Sequence, residues 1–516
     1  MKKVPTQKFV EFGPKPITIE EICSLSIGVS KSKLSSNKKW QKKIDQSANY
    51  LAEMIKNGGT VYGVTTGYGE SCTVDIPPSL MKELPLHLTR FHGCGLGDYF
   101  SEREGLAIMG TRLASLTRGV SGIRLKLLQR ISDLINKQII PVIPQEGSVG
   151  ASGDLTPLSY LAAVLLGERD VYFKGHVSKT TNVFSSQKIT PIEFLPKEAL
   201  ALMNGTSVMT AIACLAYERA AYLSQLTSRI TALVLESVDG NEYHFDQDLF
   251  DLKPHPGQNL VAQRIRGDLK PSIFEDAHRI QDRYSIRCAP HVIGVLEDSL
   301  PWMRQFIEIE LNSANDNPLI DGEKHKIMHG GHFYGGHIAF AMDAMKVAVA
   351  NLADLMDRQL ALMMDQAVNR GLPRNLSGAK GERKLINHGL KAVQIGVSAW
   401  TAEALKNTIP ASIFSRSTES HNQDKVSMGT IAARDCLRVL QLTEQVAAAM
   451  IVATHQALRI RIREKEIILK ELKPSIIKML ADLKFLPFVE EDMPLDKTLR
   501  DLIEKIQHQQ LELYEK

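Results

Sequence analysis

The stretch "GSVGASGDLTP" runs from Gly147 to Pro157 and places three glycines directly before an apolar, helix-forming segment. We expect a tight turn here that leads into a helix, with Thr156 as the N-cap and Pro157 as the first helical residue. A phosphate-binding loop of the P-loop type is excluded, because the Lys-Ser/Thr pair that completes one is missing. A turn alone does not require the order Ala151-Ser152-Gly153.

That order permits a covalent rearrangement of the backbone. The amide nitrogen of Gly153 is not shielded by a side chain and can attack the carbonyl carbon of Ala151. Loss of water, including the Ser152 hydroxyl, then leaves a methylidene-imidazolone ring with an exocyclic alkene. The ring is a strong electrophile made from three unreactive side chains, and a helix N-terminus beside it favours negative charge on it.

Outside this stretch, apolar residues recur at three- and four-residue intervals over long segments, which indicates helices. Residues 104–138, 341–370 and 433–463 show the pattern, and the last two segments are apolar on most of their circumference. Helices of this kind are buried on most sides, as in a large bundle completed by other subunits. We therefore predict a mostly α fold, with a long central helical bundle and a smaller N-terminal mixed region.

Three regions are expected along the chain. Residues 1–200 would form an N-terminal region that carries a tyrosine loop and the Ala-Ser-Gly segment. Residues 201–463 would form the central helical bundle, and residues 464–516, interrupted by prolines, a peripheral helical tail.

The composition argues against several function classes. The 516-residue chain carries 62 Lys and Arg against 58 Asp and Glu, and its net charge of +4 gives no overall field that attracts nucleic acid. The basic run at residues 31–43 is interpreted as a solvated helix face, because only Trp40 interrupts it. The six cysteines form no C-x-x-C pair, which argues against a zinc site or a disulfide framework and suits a reducing cytoplasm. We expect no export signal and no membrane span.

The longer stretch "GSVGASGDLTPLSYLA" (147–162) resembles the signature of the histidine, phenylalanine and tyrosine ammonia-lyases and the related aminomutases. The resemblance extends over roughly residues 15–460, in the family's order of motifs. It implies that Ala151-Ser152-Gly153 cyclises autocatalytically into a methylidene-imidazolone (MIO) prosthetic group, with no external cofactor and no metal. It also implies a homotetramer whose active sites combine loops of three subunits.

The resemblance assigns catalytic roles to three further residues. Tyr62, in "YGVTTGYG", would remove a β-proton of the substrate, although a phenol with its ordinary pKa near ~10 is a poor base without environmental tuning. Asn204, in "LALMNGTSV", would contact the ring and the substrate amine. Tyr284, in "QDRYSIRCAPHVIG", would aid ring formation and the reaction.

Other matching positions are expected to bind the substrate. Arg287 would pair with the substrate carboxylate, with Gln281 nearby, because a bidentate arginine contact suits an amino acid. The remaining matches are Asn317, with Asn315 close by, in "NSANDNPLI", Phe333 in "MHGGHFYGGHIAF", and Glu419, which would lie near the substrate amine.

Three histidines surround Phe333, at positions 329, 332 and 337. We interpret them as loop histidines whose hydrogen bonds are satisfied within the protein, rather than as metal ligands, because no carboxylate accompanies them closely in the sequence. His332 stands where the family has asparagine, which puts the usual hydrogen bonding of that loop in doubt.

Two places bear on the substrate ring. Phe91-His92 falls where the resemblance puts Phe-Leu in phenylalanine lyases, His-Leu in tyrosine lyases and Ser-His in histidine lyases, so this chain is a hybrid. Phe91 offers an apolar wall, and His92 either reaches a hydroxyl or fills space. Asn422-Gln423 resembles the phenylalanine and tyrosine lyases, because histidine lyases have glutamate at the second position.

We therefore expect an ammonia-lyase that converts L-phenylalanine or L-tyrosine to cinnamate or coumarate. The alternatives are a histidine ammonia-lyase that forms urocanate and an aromatic 2,3-aminomutase. A catalytically inactive helical scaffold ranks last, because the Ala-Ser-Gly segment, Tyr62 and Arg287 are all present.

Overall fold

The computed structural model describes residues 8–271 and 279–514. Helices account for most of these residues, and the strands are short, so the predicted mostly α fold is confirmed. The chain separates into two units. The first comprises residues 1–218, 303–343 and 410–434, and the second comprises residues 219–302, 344–409 and 435–516.

The first unit contains short helices and small sheets. In chain order its elements are β1 (Lys8–Phe12), α1 (Ile19–Ser26), β2 (Ser30–Leu34), α2 (Lys38–Lys56), α3 (Leu84–Phe91), β3 (Leu96–Tyr99), α4 (Glu102–Leu116), α5 (Leu125–Asn136), β4 (Ile140–Pro141), β5 (Pro144–Glu146), α6 (Leu155–Leu165), β6 (Asp170–Phe173), β7 (His176–Lys179), α7 (Thr180–Ser186), α8 (Glu198–Met203), β8 (Leu319–Asp321) and β9 (Lys326–Met328).

The strands of the described residues pair locally. β1 pairs with β2 in parallel, whereas β3 with β5, β8 with β9, and the β4-β6-β7 sheet are antiparallel. The basic run at residues 31–43, predicted to be a helix face, begins in strand β2. Only its second half belongs to helix α2, where Trp40 is buried. Alternation of lysine with small or apolar residues at 30–34 has period two, which favours a strand.

Four long helices have their residues divided between the two units: α9 (Ser207–Val238), α13 (Ala289–Leu311), α14 (Gly336–Met364) and α16 (Gly429–Arg463). The second unit also contains α10 (Gln247–Asp251), α11 (Pro256–Asp268), α12 (Tyr284–Arg287), α15 (Lys391–Lys406), α17 (Pro474–Asp482) and α18 (Asp496–Gln507). These two units cut across the three regions expected from the sequence, and that threefold division stays a prediction.

Helix α16 is apolar on most of its circumference, as expected from its sequence. It is long and apolar enough to cross a membrane by length and composition, but 78% of its most apolar 18-residue window is buried inside the protein. A core helix passes the same test, so this finding does not by itself indicate a span. The methionines at the end of α14, Met363 and Met364, are likewise buried and fill the core.

The turn at residues 147–153 leads into α6, but the helix begins earlier than the sequence suggested. Its first residue is Leu155 and its N-cap is Asp154, so Thr156 and Pro157 lie inside the first turn. The prediction of Thr156 as N-cap is therefore wrong. The Asp154 side chain makes no cap bond to α6, because it binds the start of α9 instead.

Candidate active site

A cavity of about 1070 Å³ lies in the first unit, beside the 147–153 turn. Its walls include these predicted site residues: Tyr62, Phe91, His92, Ala151, Ser152, Asn204, Asn317, Phe333, Glu419, Asn422 and Gln423. Residues that are separated by up to several hundred positions in the chain therefore surround one space. The volume is slightly above the range of about 300–1,000 Å³ that is usual for small-molecule sites.

The Ala-Ser-Gly turn is held in a backbone conformation that side chains rarely adopt. Ser152 and Gly153 have φ of +50° and +79°, in the left-handed region. A Cβ atom on Gly153 would lie 2.2 Å from the carbonyl oxygen of Gly205, so only glycine fits there. The Asp154 N–H donates to that same oxygen at 2.7 Å, which joins the turn to the segment before α9.

The Ser152 carbonyl oxygen accepts two hydrogen bonds. Asn204 Nδ2 donates to it at 2.7 Å, and the Gly205 N–H donates at 3.2 Å. The Ser152 hydroxyl accepts a third bond from Gln423 Nε2 at 3.2 Å. Two donors that converge on one carbonyl oxygen stabilise negative charge on it, as oxyanion holes do.

Asp154 fixes the far end of the turn. Its fully buried carboxylate accepts the N–H groups of Val208 and Met209, at 2.9 and 3.0 Å, at the start of α9. It also accepts the Thr430 hydroxyl from α16. Burial raises the pKa of this carboxyl to about 6, against the opposing effect of these hydrogen bonds.

Tyr62 lies on a loop of residues 61–76, here called the Tyr62 loop, which an antiparallel bridge between Thr66 and Asp75 closes. The phenol oxygen accepts the Gly69 N–H at 2.8 Å. Burial raises the pKa of Tyr62, the Gly69 bond opposes this rise, and the charge of Glu419 adds to it. The phenol is therefore protonated at neutral pH in the free chain.

Glu419 belongs to a turn of residues 418–423, here called the Glu419 turn, which a bridge between Thr418 and Gln423 closes. Its carboxylate accepts the Glu70 N–H at 2.8 Å and the Asn422 side-chain amide at 2.9 Å. Both Glu419 and Asn422 were predicted to bind the substrate, and in the free chain they bind each other and the Tyr62 loop.

Phe91 and His92 end helix α3, and their rings lie 4.5 Å apart between centroids. Burial and the nearby Arg169 guanidinium lower the pKa of His92 to about 4, so its imidazole is neutral at physiological pH. Around this pair the cavity is lined by the apolar side chains of Val74, Ile76, Leu84, Leu88, Leu155 and Leu200.

The segment after α13 supports Asn204. The Asn317 N–H donates to Asn204 Oδ1 at 2.6 Å, and Asn317 Oδ1 accepts the Gly330 N–H at 2.9 Å. Asn315 is buried behind it and takes no part in the wall, because its side chain bonds to Arg112, Ser115 and Thr206.

Of the three histidines near Phe333, His329 lines the cavity, whereas His332 and His337 do not. Within residues 8–271 and 279–514, no group of three or more His, Cys, Asp or Glu side chains is placed to hold a metal ion.

Gln281, Tyr284 and Arg287 belong to the second unit and do not line the cavity. Tyr284 is 72% exposed, and Arg287 stacks over its ring at 4.7 Å from the centroid. The Arg287 Nε atom donates to the Asp282 carbonyl at 3.0 Å. None of these three predicted residues therefore belongs to the wall of this cavity.

Arg112 is a residue of this site region that the sequence reasoning missed. Its fully buried guanidinium donates to the carbonyls of Ala201 and Asn204 and to Asn315 Oδ1, and burial lowers its pKa to about 10. Arg112 lies inside α4, in the pattern "MGTRLASL". An arginine among small and apolar residues is the one sequence feature that could have indicated a buried guanidinium. The fully buried ion pair of Lys197 and Asp316 is a second feature that the sequence did not reveal.

Comparisons with known proteins agree with this arrangement. The family model described as aromatic amino acid lyase matches residues 17–481. A histidine ammonia-lyase from Shouchella clausii (strain KSM-K16) is 37% identical over 421 residues, which cover 81% of this chain and 83% of that protein. The crystal structure of a tyrosine aminomutase from Streptomyces globisporus matches with a TM-score of 0.90 at 32% identity, over 97% of each chain. The Pantoea agglomerans phenylalanine aminomutase matches with a TM-score of 0.89 at 29% identity, over 97% of this chain and 99% of that one.

The family model spans most of the sequence, and the relatives match over most of their own length as well. A shared fold alone would not decide function, but here the match includes the segments that surround the cavity. The chain belongs to the aromatic amino acid lyase family and is a carbon–nitrogen lyase.

Proposed function

We propose that the protein eliminates ammonia from an aromatic L-amino acid with a phenyl or phenol ring and releases the trans-arylacrylate. The observation that carries the proposal is the cavity itself, which joins the Ala-Ser-Gly turn and Tyr62 to an apolar wall. Phenylalanine would give cinnamate, and tyrosine would give coumarate.

The residues present fit the MIO group. The left-handed backbone at Ser152 and Gly153, and a Gly153 that tolerates no side chain, suit a turn that closes on itself. Ala151, Ser152 and Gly153 would form the group, with the Gly153 nitrogen bonding to the Ala151 carbonyl carbon and two waters lost. When formed, the group supplies an electrophilic alkene carbon that makes the substrate amine a better leaving group.

The chain's own groups would hold the charges of the reaction. Asn204 Nδ2 and the Gly205 N–H stabilise negative charge at the Ser152 carbonyl oxygen. Tyr62 first releases its own proton to solvent, and the phenolate then takes the β-proton. Since burial raises the pKa of Tyr62, the proposal requires added positive charge near the phenol, which a bound substrate ammonium supplies.

The apolar wall supports a phenyl or phenol ring as the substrate's side chain. Phe91 offers a large apolar face, and the neutral His92 can donate to or accept from a phenol hydroxyl without burying a charge. At the other side, Gln423 is an uncharged amide that bonds to Ser152, so it offers no carboxylate to an imidazole. Phe333 would pack against the substrate from the histidine-bearing loop.

The carboxylate partner would come from another copy of the chain. Arg287, Gln281 and Tyr284 do not line this cavity, and the exposed Tyr284 is free to meet a neighbour. We propose a homotetramer in the cytoplasm whose sites combine loops of several subunits, acting on a small-molecule substrate without nucleic acid or membrane.

Histidine is the second candidate substrate, because relatives such as the Shouchella clausii protein bear that name and because a neutral His92 can also bond to an imidazole. The aminomutase relatives raise a further possibility, in which ammonia returns to the β-carbon.

The test is incubation of the purified protein separately with L-phenylalanine, L-tyrosine and L-histidine. Ultraviolet absorbance follows the acrylate product, ammonia is assayed in parallel, and β-amino acids are sought by chromatography. Cinnamate or coumarate with stoichiometric ammonia is expected, and Ser152→Ala, the matched control, should release neither. Urocanate as the main product would overturn the substrate assignment, and full activity in Ser152→Ala would overturn the chemistry.

A further inference from the structure

Three consecutive residues of the Glu419 turn adopt a left-handed backbone. Glu419, Ser420 and His421 have φ of +53°, +53° and +66°, although none is glycine. Residues held in this region persist only where their surroundings fix them, and they concentrate at functional sites. Here the result of the unusual backbone is the placement of one side chain, the Glu419 carboxylate, against the Tyr62 loop.

The carboxylate uses both oxygens. Oε1 accepts the Glu70 N–H at 2.8 Å, and Oε2 accepts Asn422 Nδ2 at 2.9 Å from its own turn. Within residues 8–271 and 279–514, Glu419 makes no ion pair. Its strongest partners are therefore a backbone amide of the Tyr62 loop and an amide that orients it.

Gly69 is the residue that permits this contact. A Cβ atom at Gly69 would lie 2.2 Å from Glu419 Oε1, and its φ of +57° also disfavours a side chain. The N–H of this same glycine donates to the Tyr62 phenol at 2.8 Å. Two successive amides thus point at two groups: amide 69 at the phenol oxygen and amide 70 at the carboxylate.

We propose that Glu419 is a positioning residue for Tyr62. By binding the Glu70 N–H it fixes the 69–70 peptide and, through Gly69, the neighbouring 68–69 peptide, whose N–H holds the Tyr62 hydroxyl. The significance for catalysis rests on the proposed role of Tyr62 as the base. The contact between Glu419 and the Glu70 amide does not depend on that role, because it exists in the free chain. It is also separate from the role of binding the substrate amine that the family resemblance gives to Glu419.

The two roles predict different effects at the Glu70 amide. If Glu419 only binds the substrate amine, removing its side chain leaves the Tyr62 loop unchanged without substrate. If it positions the loop, removing it frees the Glu70 N–H. A charge-assisted hydrogen bond of this kind protects an amide by roughly ten-fold or more in exchange rate.

The experiment is hydrogen exchange of the full-length protein without substrate, read at single residues by fragmentation mass spectrometry across residues 66–74. Glu419→Ala should exchange the Glu70 amide roughly ten-fold faster or more, and the Gly69 amide should follow. Glu419→Gln should stay near the parent rate, because its amide oxygen still accepts the bond. Asp424→Asn is the matched control, since this exposed acid also lines the cavity, and it should leave both amides unchanged.

Activity gives the second readout. Positioning predicts that Glu419→Ala lowers kcat and that Glu419→Gln restores much of it, whereas amine binding alone predicts a raised KM in both variants. Because Glu419 is exposed, neither variant threatens the core, and unchanged melting temperatures would verify this. An unaltered Glu70 exchange rate in Glu419→Ala overturns the proposal. A protein inactive on all three amino acids would defeat the proposed function while leaving the exchange result to stand.

Discussion

Replacing Asn204 by aspartate tests whether the Ser152 carbonyl oxygen is the charge-bearing atom of this site. The variant replaces the 2.7 Å donor by a carboxylate oxygen, which repels negative charge on the Ser152 carbonyl, and leaves only the longer Gly205 bond of 3.2 Å. It preserves an oxygen for the Asn317 N–H, which approaches Asn204 Oδ1 at 2.6 Å, so the local fold keeps its contact. Loss of one such donor costs about 2.7–4 kcal/mol in the transition state, or roughly a hundred- to a thousand-fold in kcat.

The assay is ammonia release at saturating and limiting substrate, divided by the fraction of chains that carry the ring. That fraction follows from the mass of the peptide containing residues 151–153, which is lighter by two waters once the ring has formed. Asn204→Ala is the companion variant, and it should also lose about 1–3 kcal/mol of folding stability, because the Asn317 N–H is left without its acceptor. An Asn204→Asp protein with a complete ring and kcat within about three-fold of the parent would refute the reasoning.

Two other perturbations have outcomes that the structure fixes. Arg112→Met should lower the free energy of unfolding by about 3 kcal/mol or more, measured by denaturant titration, because it leaves the buried Ala201 and Asn204 carbonyls without this donor. A loss below about 1 kcal/mol would contradict this. His92 has a pKa lowered from 6.5 to about 4 by burial, so its neutral form contributes stability that is fully present above pH 6.5 and is lost as the pH falls toward 4. His92→Gln should therefore show a smaller decline of melting temperature between pH 6.5 and 4 than the parent, and an equal decline would argue against a depressed pKa.

The features that could be predicted from the sequence were those with a local cause. Apolar spacing predicts the long helices, and the glycine-rich stretch from Gly147 to Pro157 predicts a tight turn that leads into a helix; the structure confirms both. The resemblance also named Tyr62 and Asn204, which both line one cavity. These positions lie in short motifs whose residue order is itself informative.

The features that could not be predicted depend on distant partners. Arg112 resembles an ordinary helix residue in the sequence, and only the fold brings four acceptors to it, from the end of α8, the start of α9 and the loop before β8. Thr156 is predicted as the N-cap because Pro157 suits the first helical position, whereas Asp154 is the N-cap in the structure and directs its side chain to α9. Likewise, the contact between Glu419 and Glu70 joins residues 349 apart, and no local pattern reveals such a pair.

The anchoring of Asp154 links the proposed ring to the assembly of the first unit. Its carboxylate binds Val208, 54 residues later, and Thr430, 276 residues later. The contacts that hold the turn beside it are therefore complete only once residue 430 has been synthesised and the first unit has come together. A dehydration at Ser152 that needs these contacts would occur only in folded molecules. A chain that is still being synthesised would then carry no reactive alkene.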